Sequence, residues 1–357
     1  MSDPVADFAV LGSTPLARLV AGLLAGTHGK TVLFVGEGQS GYRLPRGIDL
    51  SVAPITRPET WALLKAGTAE TQRLVARIAG RGALNRVDPV VFAGSPRARE
   101  ALSHVAHMAQ GFGTASEPVV PSLLGQNRSG LILRDALRLN RAVLEPATEK
   151  WLADQGVRRE IPERVSVRAD GSVILHVGGK AVNARQAILA DDAAILAHLP
   201  LPQWPPLLRR RTTSSILTTP TKPLLSPIML EVDTGTLLMQ QPEGGIAGTG
   251  PDDLATFSLR MQALLGRERQ VQQAGQTSFT ALITLDGAPA LGRVGSVGAD
   301  IVAGLGSIGA FLAPALARWM AGAATSSEAA WFAARLISRN GRTLPVSEYV
   351  PDEGQAQ

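Results

Sequence analysis

Read for its alternation of apolar and polar positions, the chain opens with a short apolar run, Asp7 to Leu11, that fits a buried strand. Pro15 to Gly26 then carries apolar residues at helical spacing, and Thr31 to Val35 returns to a strand pattern. Gly26 and Gly29 fall where a helix should stop and a turn should follow. Arg57 to Ala79 and Ser95 to Gln110 have helical patterns separated by proline and glycine. Arg134 to Gln155 keeps apolar residues three and four apart, which predicts one amphipathic helix, broken or kinked at Pro146.

Farther along, the period falls to two: Arg164 to Val167, then Val173 to Val177 beyond the turn Ala169-Asp170-Gly171, then Ala187 to Ala190. The proline-dense tract LPLPQWPPLL, residues 199–208, marks a crossing between modules. Residues 214–250 read as successive strands, 252–265 as a helix, and 300–321 as a strand, a turn and a helix. The order predicts an α/β fold: a Rossmann-like domain of discontinuous segments (1–50, 130–200 and 285–345) with an inserted antiparallel-sheet domain at 201–284. Residues 51–129 read as a helical connecting region, and 346–357 as a loose tail.

Composition narrows the possibilities. The 357 residues are enough for two domains or one large body with an insertion, and 45% hydrophobic content excludes a disordered chain. The net charge is only +5. Arg209-Arg210-Arg211 reads as a solvated loop, and with 4% aromatics there is little to stack on bases, so no nucleic-acid partner is expected. The absence of cysteine excludes disulfides, thiolate metal sites and cysteine nucleophiles. MSDPVADFAV lacks a basic region followed by an apolar one, so the cytoplasm is the expected compartment. Residues 301–324 are apolar except for Arg318 and long enough to span a bilayer, but three early glycines favour a buried strand, a glycine turn and a helix, with no integral membrane segment. His104 and His107 have no evident third ligand and read as a packed or solvated pair, so no metal is expected.

Two glycine-containing segments carry candidate chemistry. DFAVLGSTPLARLVAGLLAGTHGKTVLFVGE has the outline of a dinucleotide-binding βαβ unit. Such a unit needs a sharp turn, a close backbone approach to a diphosphate, and close packing of helix on strand. Gly12 meets the first need and Ala17 the third, but Thr14 stands where the second glycine belongs. Thr14 and Pro15 nevertheless make a good helix start, whose free N–H groups can face an anion. The candidate phosphate-facing segment is therefore Gly12, Ser13, Thr14, Pro15, Leu16 and Ala17, with Glu37 and Gly38 placed to meet a ribose. An ordinary capped βαβ unit with a solvated Glu37 fits this segment equally well.

The second segment, DGAPALGRVGSVGADIVAGLGSIGAFLAPALARW at 286–319, resembles the C-terminal flavin signature of the D-amino-acid-oxidase-like (DAO) family of FAD-dependent oxidoreductases. Gly304, Gly306 and Gly309 match the family's glycine turn, with Ser307, Ile308 and Ala310 between and after them. The resemblance extends over most of the chain through PERVSVRADGSV, NARQAILADDAAI and MQQPEGGIAGTG. It implies a glutathione-reductase-type flavoprotein fold and FAD as cofactor. It also implies oxidation of a C–N bond of an amine or amino-acid derivative, a small-molecule substrate, by hydride transfer to flavin. N–H groups from Ile308 to Ala310 and the following helix would then stabilise the reduced flavin ring, and the backbone of Val165 would contact the adenine side.

Three departures from the family pattern imply an alternative. These are Thr14, Asp191-Asp192 in place of a small Ala-Gly pair, and Ala281 where amino-acid-oxidising members carry a carboxylate-clamping arginine. A carboxylate beside a diphosphate disfavours binding unless it is paired or turned away. The alternative is a degenerate member acting as a non-catalytic or partner subunit, with a protein partner or a second copy of itself. Arg43 and Arg46 follow the second strand and read either as phosphate or substrate contacts or as surface residues.

Overall fold

The computed structural model describes residues 5–38, 44–125, 127–266, 269, 271–295 and 297–340. Arg43 and the expected tail 346–357 lie outside the described residues. The chain begins β1 (Ala6–Leu11), α1 (Pro15–Gly26), β2 (Val32–Val35) and α2 (Pro58–Ala79), close to the predicted bounds. Next come β3 (Leu84–Val87), β4 (Val90–Ala93), α3 (Pro96–Gly111), β5 (Ser116–Pro118) and β6 (Ser129–Leu133). The middle holds β7 (Ala136–Leu139), α4 (Arg141–Asp154), β8 (Arg158–Arg159), β9 (Arg164–Val167), β10 (Val173–Val177), β11 (Lys180–Leu189) and α5 (Asp192–His198). Then follow β12 (Leu208–Thr218), β13 (Ile228–Glu231), β14 (Leu237–Gln240), β15 (Ile246–Pro251), α6 (Leu254–Leu265) and β16 (Gln273–Thr284). The chain closes with β17 (Ala290–Arg293), β18 (Asp300–Ala303), α7 (Ala313–Met320) and α8 (Ser326–Ala333).

The strands form two large sheets. The first runs β17-β18-β11-β1-β2-β8, with β10 and β9 added beside β11. Its centre is parallel: β1 pairs with β2 and β11, and β11 with β18. Strands from both ends and the middle of the sequence therefore lie side by side, as a discontinuous Rossmann-like unit requires. Helices α1, α4 and α7 bury one face, where Val20, Phe34, Leu144, Ile188 and Leu316 share a cluster. Leu11, Leu175, Leu189, Ile195 and Ile301 pack on the other.

The second sheet runs β16-β12-β15-β14-β13-β4-β6-β5. It is mostly antiparallel, but β13 pairs parallel with β4, so it is mixed rather than purely antiparallel. The stretch expected to be a helical connection supplies α2 and α3 but also β4 and β5 to this sheet.

Three local expectations are corrected. The helix predicted from Arg134 starts only at Arg141, because Asp135 turns the chain at φ +58° and Ala136–Leu139 pairs with β3. Four residues are too few to separate the two periods, and strand pairing decides. Helix α4 then continues through Pro146: one missing N–H removes one hydrogen bond, while Leu144, Thr148 and Leu152 anchor the buried side. Arg209-Arg210-Arg211 is not a loop but part of β12, with Arg211 half-buried beside two exposed neighbours. In the apolar stretch 301–324, Arg318 pairs with Glu70 at 2.8 Å and Glu328 at 2.6 Å. Among the described residues, no helix is long and apolar enough to cross a membrane.

Candidate cofactor and substrate site

A cavity of about 1190 Å³ lies where the two sheets meet, and both glycine-containing segments open onto it. It exceeds the roughly 300–1,000 Å³ of ordinary small-molecule sites. One lip is the turn from β1 into α1. Thr14 caps α1, its Oγ1 accepting the Ala17 N–H at 3.4 Å, and Pro15 is the first helical residue. Gly12 is required sterically: a Cβ there would stand 2.9 Å from Asp191 Oδ2 and 3.0 Å from the Ala17 Cβ. Across the lip the Glu37 N–H donates to Ser13 Oγ at 3.0 Å, and Arg18 donates to the Glu37 carbonyl at 3.1 Å. Arg18 also pairs with Glu149, whose second oxygen takes Arg159 at 2.7 Å. An ionic chain therefore holds α1, β8 and the end of β2 against α4.

The carboxylates expected to obstruct a diphosphate are both engaged. Asp191 Oδ1 accepts the Ala194 N–H at 2.9 Å and so caps α5, while its Oδ2 accepts the Ser13 N–H at 2.6 Å. Asp192 Oδ2 accepts the Leu282 N–H at 2.9 Å. Burial pushes the Asp192 carboxyl up to about 6; the Leu282 N–H opposes this, the Asp191 charge adds to it, and Arg211 opposes it.

The opposite lip follows β18. Gly304 at φ +72° and Gly306 at φ +52° occupy the left-handed region and turn the chain. The expected α-helix does not begin there. A 3₁₀ helix, Gly306–Leu312, intervenes, and α7 begins at Ala313, because Pro314 has no N–H and suits only a first helical turn. The Ile308 N–H, expected to face a ring, donates instead to the Leu305 carbonyl at 3.3 Å. The Ser307 carbonyl accepts the Leu50 N–H at 2.8 Å, which pins the segment between β2 and α2 to this turn. The preceding DGAP turn is rigid: Asp286 accepts the Ala288 N–H at 3.1 Å and is clasped by Arg339 at 2.8 Å on each oxygen.

The second sheet forms the wall facing these lips. Arg211 and Thr213 of β12 face the cavity, as do Phe279 and Ala281 of β16 directly opposite Thr213 and Arg211. Arg46 also reaches the cavity, its guanidinium 4.9 Å from the centre of the Phe279 ring. Ser215 and Thr249 both donate to the Pro45 carbonyl, at 2.6 and 3.0 Å, fixing that loop to the sheet. Glu231 lines the wall with its carboxyl pushed up by burial, while the Thr234 hydroxyl donates to it at 2.5 Å.

Of the residues singled out from the sequence, Gly12, Ser13, Thr14, Leu16, Glu37, Gly38, Val165, Gly304, Gly306, Ser307, Gly309 and Ala310 line the cavity. Pro15, Ala17 and Ile308 are buried behind it. Arg211 escaped notice because the arginine run read as a loop; the two-residue alternation through Arg211 and Thr213 was the usable signal. Asp192 was singled out from the sequence only as a misfit beside a diphosphate, and Glu231 gave no sequence signal beyond its charge, since only the fold brings it to the wall. Among the described residues, no three His, Asp or Glu side chains converge as metal ligands.

No protein-family model matches the chain, and no curated protein matches it. Solved structures do. Glycine oxidase from Geobacillus kaustophilus superposes with a TM-score of 0.70 at 16% identity, covering 94% of this chain and 99% of that one. L-proline dehydrogenase from P. horikoshii gives 0.69 at 15% identity, covering 92% and 96%. Iminodiacetate oxidase from Chelativorans sp. BNC1 gives 0.63 at 18%, covering 88% and 94%. The chain therefore has the fold of these enzymes over nearly its whole length, the DAO-like fold that its glycine-rich segments implied.

Proposed function

We propose that this protein is an FAD-dependent oxidoreductase that oxidises a C–N bond of an amine or amino-acid derivative. The observation that carries the reading is the single cavity joining the Gly12–Ala17 turn to the Gly304–Ala310 turn, with the Arg211–Phe279 wall facing them. Residues from both ends of the sequence converge there, and the solved neighbours sharing this fold include an oxidase of glycine and a dehydrogenase of proline.

The residues present fit such a cofactor. Gly12 and the start of α1 would hold the diphosphate, Glu37 the ribose hydroxyls and Val165 the adenine side. The turn around Gly306 would take the flavin ring. FAD held there would supply a hydride acceptor for a carbon next to nitrogen. The chain's own part is to orient the substrate and keep water out. Arg211 supplies a guanidinium that can hold a substrate carboxylate, which favours an amino-acid derivative over a simple amine. Ala281 opposite it leaves room for the substrate.

A second reading, a non-catalytic partner subunit with the same fold, is favoured by one observation: an internal carboxylate already occupies the Ser13 N–H. The visible absorption spectrum of the purified, untagged protein separates the two. FAD released by heat or taken up stoichiometrically when added, followed by bleaching with amines under anaerobic conditions, supports the enzyme. A colourless protein that also refuses added FAD overturns it in favour of the partner subunit.

A further inference from the structure

In a βαβ nucleotide site the first N–H groups of the helix turn are the donors that meet a phosphate. Here the Ser13 N–H is already taken. Asp191 Oδ2 lies 2.6 Å from it, and Gly12 lacks the Cβ that would otherwise stand 2.9 Å from that oxygen. The Thr14 oxygen accepts the Ala17 N–H, so of that hydroxyl only the O–H is left to meet an anion. The carboxylate is held from its other side as well, because Oδ1 caps α5 through the Ala194 N–H at 2.9 Å. Asp191 thus bridges the start of α1 to the start of α5 and places a negative group at the mouth of the anion site.

We propose that Asp191 is a built-in competitor for the diphosphate of the cofactor: binding requires its carboxylate to leave the Ser13 N–H, so the site holds FAD weakly and exchangeably. This rests on the FAD reading above. The physical basis is that the displaced bond is charge-assisted and that a diphosphate entering nearby meets a like charge. The riboflavin portion, which carries no phosphate, is indifferent to Asp191.

The test is calorimetric titration of the full-length apoprotein with FAD and, separately, with riboflavin. Wild type is compared with Asp191→Ser, which retains a cap for α5, and with Asp191→Asn, which retains shape without charge. Thermal unfolding of each apoprotein checks the fold. The expected result is a Kd for FAD at least tenfold lower in Asp191→Ser, a smaller gain in Asp191→Asn, and no change for riboflavin. If the wild type binds FAD and both folded variants bind it equally or more weakly, Asp191 is a brace that the cofactor needs and the inference is overturned alone. If neither the wild type nor either variant binds FAD, the inference and the proposed function fall together.

Discussion

Arg211 and Ala281 stand directly opposite each other across the β12–β16 pair, and both face the cavity. The wall therefore carries its guanidinium on β12, while β16 offers only a methyl group at that level. If Arg211 grips a substrate carboxylate, Arg211→Ala should raise KM at least tenfold, in line with the roughly 1.5–3 kcal/mol of a charged hydrogen bond. Arg211→Lys should recover part of that loss. Steady-state kinetics with an amino acid and its decarboxylated amine would decide, since an equal loss on both substrates would remove the carboxylate from Arg211's role.

The Asp286–Arg339 clasp predicts a stability effect. The Asp286 side chain is 1% exposed and Arg339 10%, so Arg339→Ala leaves a buried carboxylate without its partner. Loss of roughly 3 kcal/mol is expected in denaturant unfolding. A change under 1 kcal/mol would show that water readily reaches the DGAP turn.

Asp192 predicts a dependence on pH. Its carboxyl is raised from 3.8 to about 6, so the folded state binds this proton more tightly than the unfolded chain. The resulting stability is present near pH 3.8 and lost as pH rises through about 6. Asp192→Asn, which keeps an acceptor for the Leu282 N–H, should therefore gain on the wild type across that window. The gain should be about 1 kcal/mol, reduced by the group's partial exposure. Urea unfolding on either side of the window measures it; a difference independent of pH would contradict the assignment.

Gly306 lies at φ +52°, where a β-branched side chain is strained. Gly306→Val should lower the affinity of the protein for added FAD by at least tenfold while circular dichroism stays at the wild-type level. Unchanged affinity in a folded variant would move the ring-binding site away from this turn.

Much of this architecture was legible because local chemistry and global fold agree. Thr14 and Pro15 mark the start of α1 in the sequence and mark it in space. The period of two identifies β9 and β10 with their observed bounds. Legibility failed where a long-range partner overruled a short pattern. Ala136–Leu139 follows its pairing with β3 rather than its own spacing, and the arginine run follows β12. The site was half legible: backbone turns leave glycine and proline signatures, whereas a wall made by neighbouring strands leaves only a two-residue alternation that does not say what it faces. The engagement of Asp191 illustrates this, since Ser13 lies 178 positions away in the chain.

The central sheet also sets an order of assembly. Strand β1 is flanked by β2 and β11, and β11 by β18, so β1 waits with an open edge for segments made much later. During translation the nascent chain can close the first βαβ unit at once, but the turn at Gly304–Ala310 leaves the ribosome only after β2 through β18 have been made. A premature stop before residue 300 removes β18 and the whole second lip. A cavity with both lips thus exists only once β18 has joined the sheet, whatever the state of the first βαβ unit.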